Sequence, residues 1–240
     1  MPESISSSIS SSSLQSVVLF DIDGTLIDTG GCGSMAFNKA GQTAFGICNG
    51  TSDFVFAGAT DSALANQFLS RHQLEVSAEN RNHFLDTYVF WLDYFLSHSP
   101  FPKRPFEDAT TVLDGLSSRP DHIGLGLVTG NTRLGAEIKL RHFGLWHYFS
   151  FGAFGCENPD RNCLAQYALQ RIPAHIKASL TNTWLVGDTF NDFNAAKSIN
   201  ARFIGFSSSH SDPDRFLNCG ADFSINSFSQ FPMNEFLGPF

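Results

Sequence analysis

The sequence predicts an α/β fold: a parallel sheet with helices on both faces, interrupted near its start by an all-helical insertion. Three observations predict it. Residues 17–20 (VVLF) are an apolar run without alternation, which suits a strand covered on both faces, and the run breaks into Asp21, Asp23 and Gly24. From residue 106 onward, short apolar runs alternate with helical patterns, as in successive βαβ units. Between the two, residues 31–104 carry helical periodicity only, bounded by a glycine-rich joint and a proline-rich one.

Taken in order, residues 1–13 (MPESISSSISSSS) are Ser-rich and lack the basic start and apolar segment of a signal peptide. They read as a disordered tail. After the first strand, Gly30, Gly31 and Gly33 form a joint. Ser34 is the expected N-cap of a helix with Phe37, Ala40, Ala44 and Phe45 on one face. Residues 51–60 read as a loop, and Asp61 as the cap of a second helix carrying Leu64, Ala65, Phe68 and Leu69. The third helix covers roughly 78–97, with Phe84, Leu85, Tyr88, Val89, Leu92, Phe95 and Leu96 at helical spacing. Prolines 100, 102 and 105 end it in a stiff connection.

The alternating part then begins. A helix is expected near 107–117, a buried strand over 123–128 ending at Thr129, a helix near 133–143 and a short strand near 148–151. A helix starting at Asp160 leads to a strand over 183–186, which ends in GDTFND (187–192). A helix near 191–199, a strand over 202–206, a helix from Pro213 and a last strand over 221–225 complete the chain.

Composition narrows the function classes. With 42% hydrophobic and 16% charged residues the chain reads as soluble and globular. A formal charge of −8 without a basic run argues against nucleic acid as the partner. No stretch approaches the roughly 20 apolar residues needed to span a bilayer. Five cysteines, an odd number with no CxxC pair, favour free thiols in a reducing compartment, so a cytoplasmic setting is expected. Cys32 lies near the first motif, but no partner base is identifiable and it reads as a small residue in a tight turn.

Three strand ends carry polar groups that can share one crevice, because ligands of open α/β sheets bind beyond the carboxyl ends of the strands. They are Asp21 with Asp23, Thr129 with Gly130 and Asn131, and Asp188 with Asp192. Aspartates and glycines also build ordinary turns, and Thr129 also suits a strand-to-helix cap. Acids converging without a counterion repel, which points to a divalent cation. Oxygen ligands without His or Cys point to Mg²⁺ and not zinc.

DIDGT (21–25), VTGN (128–131) and GDTFND (187–192) resemble the motifs of the haloacid dehalogenase-like hydrolases, in order and spacing, over residues 16 to about 226. The resemblance implies a Rossmann-like core of residues 14–30 and 105–240, with residues 31–104 as an inserted helical cap. It implies that Asp21 attacks phosphorus to form an aspartyl-phosphate. Asp23 would protonate the leaving alcohol and later deprotonate the hydrolytic water. Mg²⁺ would be held by the Asp21 side chain, the Asp23 carbonyl and Asp188, with Asp192 reaching it through water or supporting the ligands. Thr129, Gly130 and Asn131 would bind phosphoryl oxygens. An acid at Asp23 favours phosphate esters, since the dehalogenase branch lacks it.

One position departs from the family. The resemblance implies a lysine near residues 159–169 (PDRNCLAQYAL) that contacts both phosphate and nucleophile; this chain offers Arg161 for that role instead, as a branch similar to phosphoglycolate phosphatase does. Arg161 is also readable as a surface residue, with Lys177 and Arg171 as fallback cations. In the helical insertion Arg71, His72 and His83 read as solvated, and Gly58, Thr60 and Asp61 lie in a segment that faces the active site in similar proteins. The expected function is a Mg²⁺-dependent phosphatase for a small phosphorylated metabolite, phosphoglycolate-like. A mutase similar to β-phosphoglucomutase and a non-catalytic binder are the alternatives. No nucleic-acid or membrane partner is expected, and the protein is expected as a monomer or homodimer.

Overall fold

The computed structural model describes residues 15–177, 180–208 and 214–237. The Ser-rich tail over residues 1–13 lies outside the described residues. The chain begins with strand β1 (Gln15–Phe20), short strand β2 (Ile27–Asp28), helices α1 (Cys32–Phe45), α2 (Asp61–Arg71) and α3 (Ala78–His98), and short strand β3 (Arg104–Pro105). It continues with α4 (Ala109–Ser117), β4 (Ile123–Thr129), α5 (Arg133–His142), β5 (Phe151–Phe154), α6 (Arg161–Gln170) and α7 (Ala174–Lys177). Then come β6 (Leu180–Gly187), α8 (Phe190–Ser198), β7 (Arg202–Phe206), β8 (Phe223–Ile225) and α9 (Asn234–Leu237).

Six strands form one parallel sheet in the order β5-β4-β1-β6-β7-β8. The fold is therefore α/β and Rossmann-like, as the sequence predicts. β1 sits between β4 and β6, with Val18 level with Leu125 on one side and Trp184 on the other. The alternation of a strand then decides its packing. Val18 and Phe20 enter the core under α4 and α5, while Val17 and Leu19 enter the core under α6 and α8. Both faces are buried, which is why the run VVLF shows no polar alternation.

Helices α1, α2 and α3 surround a separate apolar core that includes Phe37, Phe68, Phe84, Tyr88 and Leu92. α3 also packs against α5. Where the chain leaves and re-enters the sheet region, β2 and β3 pair antiparallel, Ile27 opposite Pro105. The sequence reading does not contain this ribbon. The segment between α1 and α2 is tied to the strand ends: Asp61 N donates to Gly130 O at 2.7 Å, Asn191 Nδ2 to Gly58 O at 2.8 Å and Thr60 Oγ1 to Pro159 O at 3.3 Å. A Cβ on Gly130 would collide with the Ala59 carbonyl, so only glycine permits that approach.

Several boundaries differ from expectation for physical reasons. α1 begins at Cys32 on Gly31 in the left-handed region, and Ser34 Oγ donates back to Gly31 O instead of capping. Thr60, not Asp61, caps α2 by accepting from Ala63 N. The strand expected at 148–151 is β5 at Phe151–Phe154, because pairing with β4 begins only at Phe151 and Trp146–Tyr148 form a 3-10 turn. The helix expected from Pro213 starts outside the described residues, and Leu217–Cys219 form a short 3-10 helix. The five cysteines are free, and no helix among the described residues is long and apolar enough to cross a membrane.

Candidate active site

The site lies at the carboxyl ends of β1, β4 and β6. Asp21 follows β1 directly, its N–H donating to Val186 O at 2.9 Å, so the central strand holds it between two neighbours. Asp21 as a whole is only 4% exposed. The chain then folds back through Gly24, whose N–H donates to Ile27 O at 3.0 Å. Gly24 has φ +79°, and a Cβ there would strike the Asp188 carboxylate. Glycine is thus required both by the backbone and by the acid packed against it.

Asp188 follows β6, and Thr189 caps α8. Thr189 and Asp192 form a reciprocal capping box: Asp192 N donates to Thr189 Oγ1 and Thr189 N donates to Asp192 Oδ2 at 3.0 Å. Asp192 is fully buried, and its other oxygen, Oδ1, takes the Arg161 Nη1 donor. Arg161 opens α6, is 7% exposed, and reaches Asp21 Oδ1 from Nη2 at 3.3 Å. Asp21, Asp188 and Asp192 each offer an oxygen within 4.8 Å of the others.

At the end of β4, Thr129 is fully buried. Its hydroxyl accepts from Asn131 N at 3.3 Å and from Asn131 Nδ2 at 2.8 Å. Gly130 and Asn131 line the cavity above the strand ends, whereas Thr129 does not and instead holds Asn131. Asn131 Nδ2 also donates to Asp23 Oδ2 at 2.7 Å.

Lys139 is the functional residue that the sequence reading misses. Its side chain is 4% exposed, and Nζ donates to both oxygens of Asp23 at 2.9 and 2.7 Å and to Asn131 Oδ1 at 2.6 Å. Asp23 is therefore separate from the three-carboxylate cluster and belongs to a Lys139–Asn131 clamp. The missed signal is periodicity: Lys139 shares the buried stripe of α5 with Gly135, Ala136 and Leu140, where a solvated lysine has no place.

Other candidates lie elsewhere. Arg171 is bound to Glu157 and Gly152 O, and Lys177 is exposed at the end of α7. Arg71 pairs with Asp53, His72 with Gly50 O and His83 packs on Phe45. Cys32 donates to Phe95 O at 3.4 Å, and burial pushes its thiol up, away from a nucleophile. Gly58 and Asp61 line the cavity, while Thr60 is spent on capping.

Burial dominates the electrostatics. It pushes Asp21 up to about 8; Arg161 opposes this, and Asp192, Asp188 and Asp23 add to it. Asp188 rises to about 7, again by burial and then by Asp192. For Arg161 burial disfavours the charge, but Asp192 and Asp21 outweigh it and hold the guanidinium protonated. Three carboxylates thus face one guanidinium, two positive charges short of balance. The donor set is all oxygen, so the residues fit a hard divalent cation such as Mg²⁺.

A family model described as haloacid dehalogenase-like hydrolase matches residues 18–206. Phosphoglycolate phosphatase of Agrobacterium fabrum is 24% identical over 206 residues, 83% of each chain. CbbY from Rhodobacter sphaeroides, solved in complex with phosphate, has a TM-score of 0.67 at 16% identity, covering 91% of this chain and 96% of its own. A HAD hydrolase of family IA from Entamoeba histolytica has a TM-score of 0.68 at 17% identity, covering 93% and 97%. These two structures are similar in fold.

Proposed function

The chain belongs to the haloacid dehalogenase-like hydrolase family and is a phosphatase of that family, and on this premise we propose that it hydrolyses a small phosphomonoester through an aspartyl-phosphate on Asp21. The observation that carries the proposal is the separation of two carboxylates two residues apart. Asp21 sits in the buried cluster beside Arg161, and Asp23 sits in the Lys139–Asn131 clamp, both lining one cavity of about 290 Å³. A cavity at the small end of ligand pockets suits phosphate plus a short leaving group.

In the first step an Asp21 oxygen bonds to phosphorus and the bond to the leaving oxygen breaks, with Asp23 giving that oxygen its proton. Arg161 keeps Asp21 oriented. In the second step Asp23 takes a proton from water, whose oxygen bonds to phosphorus and frees Asp21 and inorganic phosphate. Asp21 and Asp188, with the Asp23 carbonyl, would hold Mg²⁺, which supplies charge neutralisation between anionic ester and anionic nucleophile. Asp192 has both oxygens engaged, by Arg161 and by Thr189, so it acts through them. The relative named phosphoglycolate phosphatase supports a small phosphomonoester as the substrate class. A non-catalytic binder has no use for an acid clamped beside a nucleophile.

The test is hydrolysis of p-nitrophenyl phosphate with Mg²⁺ and with excess chelator. Turnover is expected with the metal and background with chelator, restored when Mg²⁺ is returned. Equal rates in both would overturn the metal assignment, and no turnover on any ester would overturn the phosphatase mechanism.

Lys139 gives a sharper check. Holding Asp23 matters most when the leaving group needs a proton. Lys139→Met is expected to lower kcat on alkyl phosphates about tenfold to a hundredfold more than on p-nitrophenyl phosphate. A uniform loss on both would make the lysine a packing residue only.

A further inference from the structure

In the wall of the cavity, two buried polar side chains of the helical block are left with capacity to spare. Asp61, 7% exposed, accepts Thr132 N at 2.7 Å on Oδ2, and no hydrogen-bond partner is found for Oδ1 among the described residues. Tyr88, 1% exposed, lines the same cavity, and no partner is found for its hydroxyl among the described residues. The two are close: Tyr88 packs beside Gly135, in the first turn that Thr132 caps, and Asp61 is fastened to Thr132. Both side chains line the cavity, so one ligand group that donates to Asp61 and accepts from Tyr88 can engage the pair.

The charges of the wall say which ligand. Lys139 and Arg161 are the cations among the described residues lining the cavity. The three donors of Lys139 are taken by Asp23 and Asn131, and Arg161 is bound to Asp192 and Asp21. No cation is left for a second anionic group on the substrate. A carboxylate on the leaving group would meet Asp61 while Lys139 is committed to Asp23, and an unpaired anion is costly in a buried site. A hydroxyl fits: it donates to Asp61 Oδ1 and accepts from Tyr88, which burial first, then Asp61 and Asp23, keep well above the usual phenol range and so neutral. Phe37, Phe56 and Leu64 complete the wall and suit the carbon skeleton.

Resting on the phosphatase reading, we propose that Asp61 and Tyr88 form a leaving-group subsite that selects esters of short polyols or sugars over esters bearing a carboxylate. This departs from the phosphoglycolate-like expectation of the sequence.

The test compares kcat/KM of the full-length wild-type protein on sn-glycerol 3-phosphate, a four-carbon polyol phosphate, 2-phosphoglycolate, O-phosphoethanolamine and p-nitrophenyl phosphate. A polyol ester is expected to exceed 2-phosphoglycolate at least tenfold. Asp61→Asn, which keeps an oxygen for Thr132, is expected to cost the polyol ester at least tenfold more than p-nitrophenyl phosphate, and Tyr88→Phe several-fold more. Preference for 2-phosphoglycolate or for O-phosphoethanolamine would overturn the subsite while leaving the phosphatase intact. Failure on every ester, p-nitrophenyl phosphate included, would instead overturn the phosphatase reading beneath it. The wild-type ranking decides even if a variant fails to fold.

Discussion

Asp21→Asn is expected to reduce phosphatase activity to background, a loss on the order of 10⁴-fold or more. An amide cannot form the acyl-phosphate, and no other carboxylate stands in the same place: Asp188 is packed against Gly24, and both Asp192 oxygens are engaged. The same variant has an opposite effect on stability. Burial raises the Asp21 pKa to about 8 in the metal-free fold, whereas in an unfolded chain it is about 3.9. A carboxyl with a raised folded-state pKa gives stability that is present below its unfolded value and is lost as pH rises through the folded one. Asp188, raised to about 7, acts in the same sense. Metal-free wild type is therefore expected to lose melting temperature between pH 5 and pH 8. Asn, neutral throughout, removes the Asp21 share, so Asp21→Asn gains on wild type as pH rises. Added Mg²⁺ should raise the wild-type melting temperature more at pH 8 than at pH 5. Thermal melts in chelator and in Mg²⁺ at the two pH values check this, and a wild-type–variant difference independent of pH would contradict the charge deficit.

The legibility of the sequence follows the range of the interactions involved. β1, β4 and β7 are readable because their apolar runs are dictated by burial on both faces, and the polar residues that end β1 and β4, with those that end β6, mark the crevice. The β2–β3 ribbon, two residues on each side, is too short to carry any periodicity. Asp61 reads as a helix cap because local rules favour Asp there. Thr60 takes the cap, and the carboxylate is drawn instead to Thr132, 71 residues away in sequence. Lys139 escaped for a related reason. A helical lysine is usually solvated, and only the fold shows that Asp23 and Asn131 wait at the end of its stem. Arg161 is legible as the cation nearest the position of the missing family lysine, but its bond to Asp192 comes from a helix start and a strand end that only the sheet brings together.

Arg161→Ala separates what that bond does for the fold from what it does for the chemistry. The side chain is 7% exposed, and its partners Asp192 and Asp21 have side chains exposed 0% and 6%. Removing the guanidinium strands their charges with little solvent to screen them, and breaking a buried pair in this way costs about 3–5 kcal/mol. Turnover should fall well over tenfold, since Asp21 also loses the cation that orients it. Arg161→Lys keeps the charge but places it at a single nitrogen, which cannot reproduce the planar fork between Asp192 and Asp21, so partial stability and low activity are expected. The deciding variant is the double one, Arg161→Met with Asp192→Asn. With no buried charge left unpaired at position 192, most of the stability should return. Activity should not return, because the cation beside the nucleophile is still missing. Denaturant melts and p-nitrophenyl phosphate turnover on the same preparations measure both. Activity recovering along with stability would reduce Arg161 to a structural strut.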